Sequence, residues 1–158
     1  MTNSDLIDAY LAGSDLLPSA ILGLTPEQLR ARPVPGKWST LEVLCHLADS
    51  EELFADRMKR VIAEDRPALP YSDPDLQVAR LACHDRDAAE ELALIALVRK
   101  QMARILRAQP AEAFARVGIH SRMGEQTLEQ ILRKATWHLE HHVTFIREKR
   151  RALIGTGA

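Results

Sequence analysis

Residues 127–152, TLEQILRKATWHLEHHVTFIREKRRA, decide how this chain folds. Thr127 and Gln130 have capping-box spacing, and Leu128, Ile131, Leu132, Ala135, Leu139, Phe145 and Ile146 recur at helical steps. The stretch predicts an amphipathic helix to about Ala152, its apolar stripe turned to a core. His138 and His142 fall within that stripe, where polar side chains are ordinarily excluded. Being four residues apart on a helix, they project from one face with Cβ atoms roughly 6 Å apart, close enough for both imidazoles to reach one ion. The plain alternative is two half-buried histidines bonded to water or backbone, which is the usual fate of a single interior histidine. Arg147, Lys149, Arg150 and Arg151 suit the negative end of the helix dipole and need no ligand.

Three more helices are legible upstream. Asp5–Leu24 carries Leu6, Tyr10, Leu17, Ile21 and Leu24 at helical steps with slips, so the first helix is expected to strain near Gly13 and Pro18. Thr25-Pro26-Glu27-Gln28 predicts a separate turn or two, and the prolines and glycine of 32–38 end it. Ser39 and Glu42 form another capping box, and Leu41, Leu44, Ala48, Phe54, Met58, Val61 and Ile62 stripe a second helix to about Ala63. Pro67, Pro70 and Pro74 predict a loop over 65–75, with a short helical piece over 76–82. The third helix follows 85–87 and ends at Pro110; a turn at 111–114 and a polar loop at 118–124 lead to the fourth. An all-α, four-helix bundle with short extra helical turns in its connections is therefore expected, as one domain spanning residues 1–158.

Composition bounds the function. The 21 basic and 22 acidic side chains give a net charge of -1 and are spread along the chain. No basic field is available to neutralise phosphates, so nucleic acid is not an expected partner. No apolar run reaches membrane length and no leader pattern opens the chain, so no membrane association is expected. Cys45 and Cys83 have neither pairing nor metal-type spacing, which fits a reducing cytoplasm. There is no nucleophile elbow, phosphate loop or dinucleotide fingerprint.

His46 lies on the second helix between Leu44 and Leu47. If that helix neighbours the fourth, three imidazoles can face one ion and leave positions for water or substrate. Alone, His46 reads as a boundary-face residue. His141 points about 100° away from His142 and is expected to be exposed or on a second face rather than a ligand. His84 lies in a charged turn and His120 in the last loop, where it reads as a surface residue that could hang over the site. Asp49, Ser50 and Glu51 could orient His46 or act as a base through bound water, although exposed helix carboxylates are commoner. Trp38 reads as an apolar plug at the start of the second helix.

Gly36-Lys37-Trp38-Ser39, continuing through Glu42 and His46 to Leu47-Ala48-Asp49-Ser50-Glu51, resembles the second-helix motif of the DinB/YfiT-like superfamily. Glu64-Asp65-Arg66-Pro67-Ala68-Leu69-Pro70 extends the likeness, and His138-Leu139-Glu140-His141-His142 resembles the family's HxxxH. The resemblance implies a four-helix bundle, a homodimer, and a divalent ion, zinc or nickel, held by His46, His138 and His142. It implies chemistry on a small-molecule substrate: thiol S-transfer with a low-molecular-weight thiol as cosubstrate, or metal-dependent hydrolysis. A non-catalytic reading, in which the metal staples two helices of a binding or stress protein, stays open beside these.

Overall fold

The computed structural model describes residues 2–155. Four of its helices start from an extended residue whose hydroxyl accepts the backbone N–H three positions on, while the side chain at that position accepts the cap's own N–H. The pairs are Thr2 with Asp5, Thr25 with Gln28, Ser39 with Glu42 and Thr127 with Gln130. Each box satisfies two donors that a helix start would otherwise leave orphaned. They open α1 (Asn3–Ala12), α3 (Pro26–Arg30), α4 (Thr40–Ala63) and α7 (Leu128–Ile154). Asp73 caps α5 (Pro74–Arg80) and Asp87 caps α6 (Ala88–Arg107), while α2 spans Leu16–Ile21.

The expected strain in the first helix is real. A 3₁₀ turn at Gly13–Asp15 separates α1 from α2. Pro18 sits in the first turn of α2, where its missing N–H costs no intrahelical bond. Gly13 is dictated by packing, since a Cβ there would lie 2.5 Å from an Arg99 nitrogen.

Helix α4 packs on α6 and α7, α1 packs on α6 and α7, and α2 continues along α7. This is the four-helix bundle that the apolar stripes require, and further 3₁₀ turns at Cys83–Asp85 and Ala111–Ala115 supply the short extras in the connections. The core has three apolar clusters, a small one of Leu41, Cys45, Val78 and Cys83 and two larger ones. Tyr10, Phe54, Met58, Met102, Leu106 and Leu132 belong to one, and Leu17, Leu44, Leu47, Ile95, Leu139 and Ile146 to the other. Between them in sequence on α4 and α6 fall Glu51 and Arg99, both fully buried.

The connections depart from expectation in one respect. Ala68–Leu69 (β1) pairs parallel with Val117–His120 (β2), which pairs antiparallel with Gly124–Thr127 (β3). Thus part of the expected 65–75 loop and most of the expected polar loop over 118–124 form a three-stranded sheet. Strands of two and four residues are too short, and too polar here, to show a period-two signal. The sheet presses on α4: a Cβ on Gly118 would meet Leu69 at 2.7 Å and Val61 at 2.8 Å. Among the described residues, no helix is long and apolar enough to cross a membrane.

Candidate metal centre

The packing of α4 against α7 brings His46 beside His138 and His142. Ring centroids are 4.9 Å apart for His46 and His138, 4.7 Å for His46 and His142, and 4.6 Å for His138 and His142. One ring nitrogen from each lies within 4.8 Å of the others. His46 and His138 point Nε2 at Nε2 across 3.1 Å.

This arrangement goes beyond two boundary histidines bonded to the backbone. The Nδ1 atoms of His46, His138 and His142 are all buried and find no hydrogen-bond partner among the described residues. Burying several imidazoles that bond only to each other is costly, and three imidazole nitrogens converging on one point are a donor set that a borderline divalent ion accepts. The residues present therefore fit such an ion. Burial, and then the neighbouring His142, His46, Lys134 and Arg99, push the His138 imidazole down to about 2. Burial and its neighbours, His46 foremost, push His142 down to about 3. His46 is lowered by burial against the smaller opposing pull of Asp49 and Asp75. All three shifts favour the neutral imidazole, which is the form that ligates an ion.

Aromatic side chains wall the three rings. Trp38 lies 5.0 Å from His46, Phe54 meets His138 edge-on at 5.5 Å, and Phe145 meets His142 edge-on at 5.6 Å. Trp38 is thus half plug and half wall. The centre sits between two clefts. His46 and His138 open on one of about 380 Å³, together with Ser50, Arg57, His120 and Arg122. His142 opens on another of about 510 Å³, beside Trp38, Phe145, Glu148 and Lys149.

Several expectations need correction. His120 is buried at 5% exposure, not a surface residue. Its Nδ1 accepts the backbone N–H groups of Arg122 and Met123, so its ring proton belongs on Nε2. Glu51 is neither an exposed carboxylate nor a partner of His46, because it pairs with Arg99 at 2.5 Å. Asp49 is claimed by Arg86, which donates to its two oxygens at 2.8 and 3.1 Å. Lys149, placed at the negative end of its helix by the sequence, is buried at 3% exposure. His141 lies off the centre, half-buried on a second face and stacked on Trp137 at 4.5 Å. His84 is half-exposed, its Nε2 3.3 Å from Glu42.

Helical spacing gives no sign of Arg57, Tyr71 and Arg122, which line the His46–His138 cleft. Arg57 falls on α4 one residue before Met58, and only the meeting of the proline-rich loop and the hairpin puts it in a wall.

Fold and site together define a class: a four-helix bundle with three clustered histidines shared between its second and fourth long helices. The chain belongs to the DinB superfamily, whose family model matches residues 10–146. YfiT of Bacillus subtilis (strain 168) is 30% identical over 142 residues, covering 87% of this chain and 78% of that protein. A protein of Oceanobacillus iheyensis is 28% identical over 132 residues, covering 83% of this chain and 76% of its own length. Both carry the name "putative metal-dependent hydrolase". The solved structure of YfiT superposes with a TM-score of 0.88 at 27% identity, over 94% of this chain and 86% of that one. That protein is described as a probable metal-dependent hydrolase with an unusual four-helix bundle topology.

Proposed function

We propose that His46, His138 and His142 hold one divalent ion, zinc or nickel, and that the chain is an enzyme joining a low-molecular-weight thiol to a small electrophile. A divalent ion there would lower the pKa of a bound thiol or water and so supply a nucleophile at neutral pH. The chain's own part is to present three neutral imidazoles from two rigid helices, and to exclude bulk water with Trp38, Phe54 and Phe145. The electrophile enters by the cleft that Arg57, Tyr71 and Arg122 line.

The observation that carries the reading is the chemistry of that cleft wall. His46 and His138 open on it, and among the described residues that line it there is no Asp or Glu; Asp75 and Glu148 line the other cleft, beside His142. Activating water for hydrolysis ordinarily uses a positioned carboxylate or comparable base, whereas a thiol is acidic enough to dispense with one. Hydrolysis is the second reading, favoured by the names of the Bacillus and Oceanobacillus relatives. The two separate in one assay: metal-loaded protein receives a low-molecular-weight thiol with a haloarene or an epoxide, in parallel with ester and amide panels. Thioether formation is expected; turnover of the ester or amide panel alone would overturn the transferase reading.

A further inference from the structure

Arg57 is 8% exposed, yet among the described residues it has no ion-pair partner. Its Nη2 donates to the Pro70 carbonyl at 2.7 Å, and its Nε is buried without any partner. The adjacent acid, Asp56, is on the exposed side of α4 and is taken by Arg60 at 2.8 Å. The other deeply buried guanidinium shows what this chain does with an internal charge: Arg99 meets Glu51 at 2.5 Å and the carbonyls of Tyr10 and Ala135 at 2.6 and 2.9 Å. An arginine buried to this degree without a carboxylate is costly unless something else brings the negative charge.

The charged residues that line the cleft with Arg57 have one sign. His120, also buried, lines the same cleft, and with Nδ1 occupied by two backbone N–H groups it has only its Nε2–H to offer. Arg122 lies over the Tyr71 ring, its guanidinium carbon 3.3 Å from the centroid. The Tyr71 backbone N–H donates to Ser121 Oγ at 2.9 Å, tying the proline-rich loop to the hairpin turn. Lys134 comes from α7, one helical turn before His138.

We infer that this wall is an oxyanion subsite. Arg57, His120, Arg122 and Lys134 bind a carboxylate or phosphate group carried by the substrate or cosubstrate, and hold its reactive end beside His46 and His138. A guanidinium fork suits either group in bidentate fashion, and the absence of acids from the wall rejects cationic compounds. As a substrate-class assignment it rests on the proposed function; as a binding site it can be tested separately.

The test is calorimetric titration of the full-length, zinc-loaded protein at low ionic strength with succinate, inorganic phosphate and neutral succinamide. Succinate or phosphate is expected to bind and succinamide not to, and the stronger of the two anions identifies the group. Arg122→Ala and Lys134→Ala, at exposed positions, should each weaken binding by about fivefold or more while zinc content stays unchanged. Arg57→Met should weaken it most, and circular dichroism reports whether that variant keeps its fold. Affinity equal to that of succinamide, or anion binding unchanged in the Arg122 and Lys134 variants, overturns the subsite. The second result would mean that the anion sits on the metal itself. Because no turnover is read, a failed thiol-transfer assay leaves this result interpretable, and a failed titration leaves the transferase reading standing.

Discussion

Glu51 on α4 and Arg99 on α6 meet at 2.5 Å with neither side chain exposed at all. The Tyr10 hydroxyl donates to Glu51 at 3.1 Å, and Arg99 donates to the carbonyl oxygens of Tyr10 on α1 and Ala135 on α7. One ion pair thereby joins all four long helical columns at the level where the two larger apolar clusters divide. Removing one partner strands a buried charge. Glu51→Ala or Arg99→Met should lower stability by about 3–5 kcal/mol in urea unfolding. Replacing both together by Leu and Met should cost much less than the sum, and additive losses would show that the pair is not coupled.

Gly13 exists for the same arginine. Its backbone is ordinarily helical, with φ of -56°, so alanine would by propensity alone add roughly 0.5–1 kcal/mol. Arg99 is locked by three hydrogen-bonding groups and cannot yield the space. Gly13→Ala should therefore destabilise by about 1–3 kcal/mol, and the loss should vanish in an Arg99→Met background. An equal penalty in both backgrounds would point to the backbone instead.

Acid sensitivity should concentrate at the start of α4. Burial pushes the Glu42 carboxyl up, but the Arg32 guanidinium and the N–H and hydroxyl of Ser39 outweigh it, so Glu42 titrates below its ordinary value of 4.5. Below that ordinary value the unfolded chain binds the proton more readily than the folded one. The stabilisation is therefore complete above the ordinary value and is lost as pH falls through the folded one. Urea midpoints from about pH 5 down to about pH 3 should fall less steeply for Glu42→Gln than for the parent. Parallel pH profiles would remove Glu42 from the account.

The local parts of this architecture were legible in the sequence, and the non-local parts were not. The capping boxes at Ser39 and Thr127, and the shared face of His138 and His142, depend on residues three or four apart. His46 joins them only because α4 packs on α7, which helical spacing cannot state and the family motif could. The burial of His120 has no local signal, because it comes from β1 pairing with β2 and from a hairpin of four-residue strands. Glu51 and Arg99 do carry a signal in the sequence. Each lies at helical spacing from apolar neighbours, Ala48 and Phe54 for one, Ile95 and Met102 for the other. A charge on an apolar stripe of each of two helices marks a buried pair as readily as it marks a boundary.

The central claim is that one ion is shared by His46, His138 and His142, and elemental analysis of tag-free protein tests it most directly. The account predicts close to one zinc or nickel per chain, and near-complete loss in His46→Ala, His138→Ala and His142→Ala variants that keep their helical circular dichroism. Metal retained in those variants, or a parent protein that takes up no stoichiometric divalent ion when offered one, would contradict it.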